Sequence, residues 1–202
     1  MSHFSHGGCL KYDTTMAQRA LVPFMNSKPR DGEITGALPT FDELFQAHWE
    51  RVNGVISRLV GDADEAEDLA LEVFWRLHQQ MQSRRTPDHP GAWLYRSALN
   101  AGYNALRDRR RRRAYEESAG RLLLESQITD PSQAVEQAQQ RQWVRQVLSA
   151  LPERSARLLV LRHAGCSYAE IAQALQVAPG SVGTLLARAE REFASRYRAL
   201  VE

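Results

Sequence analysis

The chain has 202 residues, and its 26 Lys and Arg nearly balance its 24 Asp and Glu, for a formal net charge of +2. This balance excludes a histone-like tail and an acidic disordered protein. Only two cysteines occur, which predicts no disulfide framework and fits a reducing cytoplasm. No apolar run reaches membrane-spanning length, so we expect no membrane insertion.

Residues 1–39 contain several Gly and Pro and show no sustained hydrophobic periodicity. We interpret them as a flexible N-terminal leader. His3, His6 and Cys9 stand at three-residue intervals and could in principle hold a metal ion. A fourth ligand is missing, so we predict no metal site and no cofactor.

Helical periodicity begins at Thr40, which forms a Thr-x-x-Glu capping box with Glu43 and opens a helix that Gly61 ends. Asp64 with Glu67 resembles a second capping box, before an apolar stripe that reaches residue 77. Residues 83–91 hold two Pro and a Gly and predict a loop. A third helix is predicted from residue 92 into the arginine run at 109–113.

Residues 114–135 lack strong periodicity and predict a linker, with some helix around residues 121–125. Helical spacing then returns, with Pro152 at a first helical position and a short helix that Gly165 ends. Ser167 and Glu170 form a further capping box, and Pro179 is expected to start the last helix. Alternation typical of strands is absent. We therefore predict an all-α fold of two small helical domains, at 40–113 and 136–202, joined by a flexible linker.

Two short helices at 167–198, joined by a turn at 176–178, are typical of a helix-turn-helix, with the small Ala172 allowing a close crossing. The second helix would then lie in the major groove of DNA. On this hypothesis Ser181, Thr184, Leu185 and Arg188 face the bases, and Arg191 lies near the backbone. A plain helical hairpin within a bundle is the alternative.

The segment 93–113 mixes aromatic, amide and basic side chains on one predicted helix. Arginines bind phosphates, aromatic rings stack on unpaired bases, and Asn hydrogen-bonds base edges. The candidates for contact with melted DNA are Trp93, Tyr95, Arg96, Asn100, Asn104, Arg107, Arg109, Arg110, Arg111, Arg112 and Arg113. Alternatively, the aromatic residues belong to the core and the arginines form a solvated helix end.

Six acidic residues cluster at 62–72, and three of them, Asp64, Asp68 and Glu72, are spaced four apart. Leu71 and Trp75 lie on or beside the same helix face, which suggests a surface that binds a protein. The alternative is that these carboxylates complement the dipole at a helix N-terminus. No nucleophile or phosphate-binding loop accompanies them, so we predict that the chain is not an enzyme.

The order of these motifs resembles the bacterial RNA polymerase sigma factors of the extracytoplasmic-function (ECF) group. The resemblance rests on the stretch from Phe41 to Trp75, on GAWLYRSALNAGYNALRDRRRRR at 91–113, and on residues 150–190 with SYAEIAQALQVAPGSV. It implies two domains, called region 2 and region 4. It also implies core RNA polymerase and promoter DNA as partners, and we expect an anti-sigma factor as well.

The resemblance assigns a role to each motif. It implies that the polymerase is bound by Asp64, Glu65, Asp68, Leu69, Glu72 and Trp75. The helix after the 83–91 loop would melt and read the minus-ten element, and the helix at 180–191 would read the minus-thirty-five element. Gly183 and Leu185 replace two basic residues of the usual recognition helix, and Gln176 stands where its turn often has Gly.

Two other functions fit the same residues. A stand-alone helix-turn-helix regulator would bind duplex DNA without polymerase and would not depend on the acidic face. A protein-interaction module sequestered by an inhibitor would make little DNA contact. The promoter sequence, the regulon, the inducing signal, the true start codon and the identity of any anti-sigma factor cannot be read from these residues.

Overall fold

The computed structural model describes residues 39–118 and 133–201, which form seven α-helices and one 3-10 turn. The helices are α1 (Phe41–Val60), α2 (Ala63–Gln82), α3 (Pro90–Ser118), α4 (Gln133–Ala150), α5 (Glu153–His163), α6 (Tyr168–Leu175) and α7 (Val182–Val201), and the turn is Pro179–Ser181. The predicted all-α class is confirmed. Nearly all of the predicted leader, with its His3, His6 and Cys9, lies outside the described residues, as do residues 119–132 of the predicted linker.

The helix caps that depend on local chemistry are as predicted. Thr40 N donates to Glu43 Oε2 at 2.8 Å while Glu43 N donates to Thr40 Oγ1 at 3.3 Å, a reciprocal capping box. Gly61 ends α1 with φ 78°, a left-handed conformation that glycine adopts without steric cost. Ser167 and Glu170 form the same reciprocal box at the start of α6.

Several predicted boundaries were wrong. The cap of α2 is Asp62, whose Oδ1 accepts from Glu65 N at 2.8 Å, rather than an Asp64–Glu67 box. The loop is shorter than predicted because Pro90, with its fixed φ, is already the first residue of α3. The third helix is longer than predicted, because α3 continues to residue 118 through the first five residues of the predicted linker. Pro152 is the N-cap residue of α5 rather than its first helical residue, and the last helix is preceded by the 3-10 turn Pro179–Ser181.

Helices α1, α2 and α3 pack around one apolar core. Val52, Val55 and Ile56 of α1 are fully buried against Phe74 of α2 and Leu99 of α3. Helices α1 and α3 approach closely at Gly102, where an added Cβ would lie 2.6 Å from Leu59 Cδ1. This bundle fixes the outward faces of α2 and α3, on which the predicted contact residues lie.

Helices α5, α6 and α7 form the second unit, with α4 packed across α5 and α7. Ile171 and Ala172 of α6 and Leu186 of α7 are buried in the same apolar cluster as Leu94 and Leu99 of α3. The two predicted domains are therefore packed directly against each other in this structure. None of the helices in the two described ranges is long and apolar enough to cross a membrane.

Candidate nucleic-acid and protein interfaces

The exposed face of α2 combines carboxylates with large apolar side chains. Asp64, Asp68 and Glu72 point to solvent, and between them Leu71 and Trp75 are 47% and 56% exposed. The Trp75 ring stacks on His78 with centroids 5.5 Å apart. An exposed aromatic and an aliphatic side chain inside an acidic rim are typical of a surface that a protein partner covers. Leu71 belongs to this acidic face, although it was not among the predicted polymerase contacts.

Two of the predicted polymerase contacts face inward instead. Glu65 is half-buried and forms an ion pair with Arg109 of α3. Leu69 is also half-buried and packs against the core. These two side chains fix α2 against α3, and so they position the acidic face without forming its outer surface. Asp64, Asp68, Glu72 and Trp75 are exposed as the hypothesis requires.

The outer face of α3 carries amides and guanidinium groups at helical spacing. Asn100, Asn104 and Arg107 are exposed, and Arg107 Nη1 donates to Asn104 Oδ1 at 2.9 Å. Arg111 continues this line and is also exposed, in an ion pair with Asp108. This stripe can reach phosphates and base edges at the same time. Arg112 lies beside it in a groove of about 400 Å³ between α2 and α3.

Arginines of α3, Arg107 of the stripe among them, also border a cleft on the side of α4. Arg107, Arg110 and Arg113 line a cleft of about 570 Å³ that Arg145 of α4 closes from the other side. Arg109 is half-buried, donating to Val60 O at 3.0 Å and pairing with Glu65. In this arrangement the second domain therefore shares the space around part of the arginine run.

Two predicted DNA contacts on α3 are corrected by the structure. Tyr95 is fully buried, and its hydroxyl donates to Glu170 Oε1 of α6 at 3.2 Å. Arg96 donates from Nε to Ala174 O and from Nη2 to Gln173 O, each at 3.0 Å, so it caps the last turn of α6. Trp93 is half-buried and packs against the core. Tyr95 is therefore a core residue, as the alternative interpretation predicted, because it lies on the side of α3 that faces α1 and α6.

The α6–α7 pair has the geometry of a helix-turn-helix. Gln176 ends α6 with φ 55° and ψ 48°, so the turn uses a left-handed backbone without glycine. Such a conformation costs free energy in a residue with a Cβ, as expected from the sequence. Ile171, Val182 and Leu186 are buried where the two helices meet. The crossing therefore leaves the N-terminal part of α7 on the surface.

The recognition helix presents fewer polar groups than predicted. Thr184, Arg188 and Arg191 are exposed. Leu185 is half-buried and packs against the core, and Ser181 Oγ donates to Ala178 O at 2.7 Å inside the turn. A Cβ at Gly183 would lie 3.6 Å from Tyr168 Cε2, an ordinary van der Waals contact. The half-exposed Tyr168, which the sequence prediction missed, therefore lies beside the recognition helix.

Glu170 is the centre of a polar cluster between the two domains. Arg51 Nη1 donates to Glu170 Oε1 at 2.8 Å, and His48 Nδ1 lies 2.7 Å from the Tyr95 hydroxyl oxygen. Burial alone would raise the pKa of Glu170, but the Ser167 N–H and Arg51 outweigh it and lower that pKa. Burial, followed by the positive charge of Arg51, lowers the pKa of His48 to about 4. Glu170 is therefore ionised and His48 neutral at pH 7.

Comparison with known families gives two matches in chain order. Residues 44–112 match Sigma-70 region 2, and residues 141–193 match Sigma-70, region 4. The chain is 32% identical over 158 residues to the RNA polymerase sigma-H factor of Pseudomonas aeruginosa, covering 74% of this chain and 81% of that protein. The chain belongs to the ECF group of RNA polymerase sigma factors.

Other relatives agree with this membership. The ECF RNA polymerase sigma factor SigE of Mycolicibacterium smegmatis is 31% identical over 160 residues, covering 78% of this chain and 61% of SigE. Among solved structures, the sigma factor RpoE of Bartonella quintana, in complex with the anti-sigma factor NepR, has the same fold. That match has a TM-score of 0.52 and 21% identity and covers 78% of this chain and 96% of RpoE.

As a sigma factor, the chain binds core RNA polymerase and directs it to promoter DNA for transcription initiation. The region 2 match contains the acidic face of α2 and the amide and arginine stripe of α3. The region 4 match contains the helix-turn-helix. Because sigma factors act together with core RNA polymerase, this membership argues against the alternative of a regulator that binds DNA without polymerase.

Proposed function

We propose that residues 40–113 form the region 2 domain and residues 136–202 the region 4 domain, and that each uses the exposed faces described above. The observation that carries this proposal is the placement of two chemically different faces on adjacent helices. The acidic face of α2 carries Asp64, Asp68, Leu71, Glu72 and Trp75, while α3 next to it carries amides and arginines. A protein partner and a nucleic acid can therefore be bound side by side.

The acidic face is proposed to bind the polymerase. Its exposed apolar side chains, Leu71 and Trp75, would become buried against the partner. The carboxylates around them would attract a basic surface of that partner. Replacing Asp64 and Asp68 by Ala should weaken binding to purified core polymerase. The acidic pair Asp42 and Glu43 is unsuitable as a control, because Glu43 belongs to the capping box of α1. The control is therefore Glu192→Ala on α7, which lies in the other domain. Equal binding by the double variant and the control would contradict this assignment.

The exposed stripe of α3 is proposed to hold the melted minus-ten element. Asn100 and Asn104 can hydrogen-bond unpaired base edges, while Arg107, Arg111 and Arg112 contact phosphates. Replacing both Asn by Ala should reduce binding of the holoenzyme to a forked minus-ten template but leave core binding intact. A parallel loss of core binding would place the stripe at the polymerase instead.

The recognition helix is proposed to read the minus-thirty-five element through Thr184 and Arg188, with Arg191 near the backbone. Gly183 and the half-buried Leu185 bring no positive charge, so this contact should be weak compared with a helix that has two basic residues there. Footprinting of the holoenzyme with Arg188→Ala tests the assignment, because upstream protection should shrink while minus-ten protection persists.

The remaining expectations follow from family membership. We propose that the protein is not itself an enzyme and acts in the cytoplasm, where its polymerase works. We also propose an anti-sigma partner. RpoE of Bartonella quintana, which shares the fold, was solved in complex with an anti-sigma factor. Co-purification of the full chain with the product of a neighbouring gene tests this.

A further inference from the structure

The contact between the two domains combines buried apolar side chains with hydrogen bonds and an ion pair. On the apolar side, Ile171, Ala172 and Ala174 of α6 share one buried cluster with Leu94 and Tyr95 of α3. Polar contacts surround it at three points: Arg51 and Tyr95 on Glu170, Arg58 on His163 O at 3.1 Å, and Arg96 on the last carbonyls of α6. A contact with this many directed bonds is a defined state rather than a loose collision of two domains.

This contact conflicts with simultaneous promoter binding. The minus-ten and minus-thirty-five elements are separated by roughly 25 base pairs, or about 85 Å at 3.4 Å per base pair. In the structure, Arg96 of α3 is within 3.0 Å of the helix-turn-helix. With α3 and α6 touching, the stripe on α3 and the recognition helix cannot each sit on their own element.

We propose that the cluster of Arg51, Tyr95 and Glu170 is a latch that holds the free sigma factor closed, so that the chain inhibits itself without an inhibitor protein. This inference rests on the proposed function, because it needs region 2 and region 4 to engage separate promoter elements. Opening the latch separates α3 from α6, frees Arg96, and lets α4 leave the cleft beside Arg107, Arg110 and Arg113. Engagement of both promoter elements and the latch then compete for the chain.

Glu170 is suited to this role because it belongs to both domains' contacts. Its Oε2 accepts from Ser167 N at 2.7 Å and completes the cap of α6, while its Oε1 faces Arg51 and Tyr95. The ion pair is shielded, with the Arg51 and Glu170 side chains 29% and 25% exposed. Replacing Glu170 by Gln preserves a capping box, since Gln also serves at that position, and removes only the charge that Arg51 needs.

The test measures the separation of the domains in the free protein. Dyes are attached at Gln79→Cys on α2 and Arg154→Cys on α5, both exposed positions, in a Cys9→Ser background. The remaining Cys166 is buried in the apolar cluster that both domains share, so opening would uncover it, and it is replaced by Ala in every variant compared. Single-molecule energy transfer then reports the ratio of open to closed molecules.

We expect Arg51→Gln and Glu170→Gln each to raise the open-to-closed ratio roughly tenfold, as for loss of a partly buried charged hydrogen bond. The double variant should add little, because both changes remove one interaction. The apparent affinity of the free chain for a forked promoter fragment that carries both elements should rise by up to the same factor, since only open chains can engage both. Arg196→Gln, which breaks an ion pair with Glu192 inside α7, is the matched control and should change neither quantity.

An unchanged ratio in both single variants would overturn the latch. So would a rise in open molecules without tighter binding to the promoter fragment, because the contact would then be structural and not inhibitory. The energy-transfer result is obtained without polymerase or DNA. It therefore stands apart from the proposed function, which fails instead if the wild-type chain supports no polymerase-dependent initiation.

Discussion

Two glycines on different helices predict opposite effects of the same substitution. At Gly102, an added methyl group would lie 2.6 Å from Leu59 Cδ1 and 3.1 Å from Leu59 Cβ. Rotating the Leu59 side chain cannot relieve the second contact, so α3 and α1 must move apart. At Gly183, the same methyl group meets only Tyr168 Cε2 at 3.6 Å. The helix-propensity gain of about 1 kcal/mol is common to both sites.

The expected free energies of unfolding follow from these distances. Overpacking at Gly102 costs about 2 kcal/mol and outweighs the propensity gain, so Gly102→Ala should destabilise the protein by about 1 kcal/mol. Gly183→Ala should stabilise it by up to about 1 kcal/mol. For a chain of this size these changes correspond to about 2–4 °C in Tm, downward and upward respectively.

Urea denaturation and thermal melting of the two variants in parallel make the test, with the wild-type protein as reference. The reasoning is refuted if Gly102→Ala is as stable as Gly183→Ala or more stable. That result would mean that α1 and α3 are not in the close contact that positions the amide and arginine stripe.

Three further outcomes are expected. Burial is the main cause that lowers the pKa values of His48 and His163 to about 4. As the pH falls from 6.5 toward 4, the unfolded chain binds protons at these residues before the folded protein does, so the free energy of unfolding decreases. Each histidine should account for at most about 3 kcal/mol of this decrease. Urea denaturation at pH 7.5 and 4.5 should therefore show a smaller loss of stability in His48→Gln than in the wild-type protein. Trp75→Ala should reduce core binding about tenfold in a pull-down without changing Tm, because the ring is mostly exposed, and a matching drop in Tm would contradict this. Gly183→Lys should tighten binding to upstream duplex and steepen the plot of log K against log salt by about 0.9, whereas an unchanged slope would exclude a phosphate near this position.

Features that depend on neighbouring residues could be predicted from the sequence. The boxes at Thr40 and Ser167 and the left-handed end at Gly61 need only residues within one turn. The start of α2 was misplaced because Asp62 and Asp64 are both good caps, and the choice between them depends on packing. The end of α3 was missed because loss of apolar periodicity was interpreted as loss of helix, although Ala114, Glu116 and Glu117 are strong helix formers.

Features that depend on distant residues could not be predicted. An aromatic residue on an amphipathic helix can face a ligand or the core. Tyr95 is buried by helices that are distant in sequence, and Glu170, 75 residues away, accepts from its hydroxyl. Arg96 has the chemistry of a phosphate contact but caps α6, since the two domains are packed together. The exposed side chains Asp68, Trp75, Asn100 and Arg188 remain predicted contacts with polymerase or DNA.

The most direct test is run-off transcription with purified core polymerase on the DNA upstream of the protein's own gene. The account predicts a transcript from one start site that requires this chain. It further predicts that Asp64→Ala with Asp68→Ala reduces the transcript by weakening core binding, and that Asn100→Ala with Asn104→Ala reduces it by weakening contact with the melted minus-ten element. A transcript of undiminished yield from both double variants would contradict the assignment of the two faces of region 2.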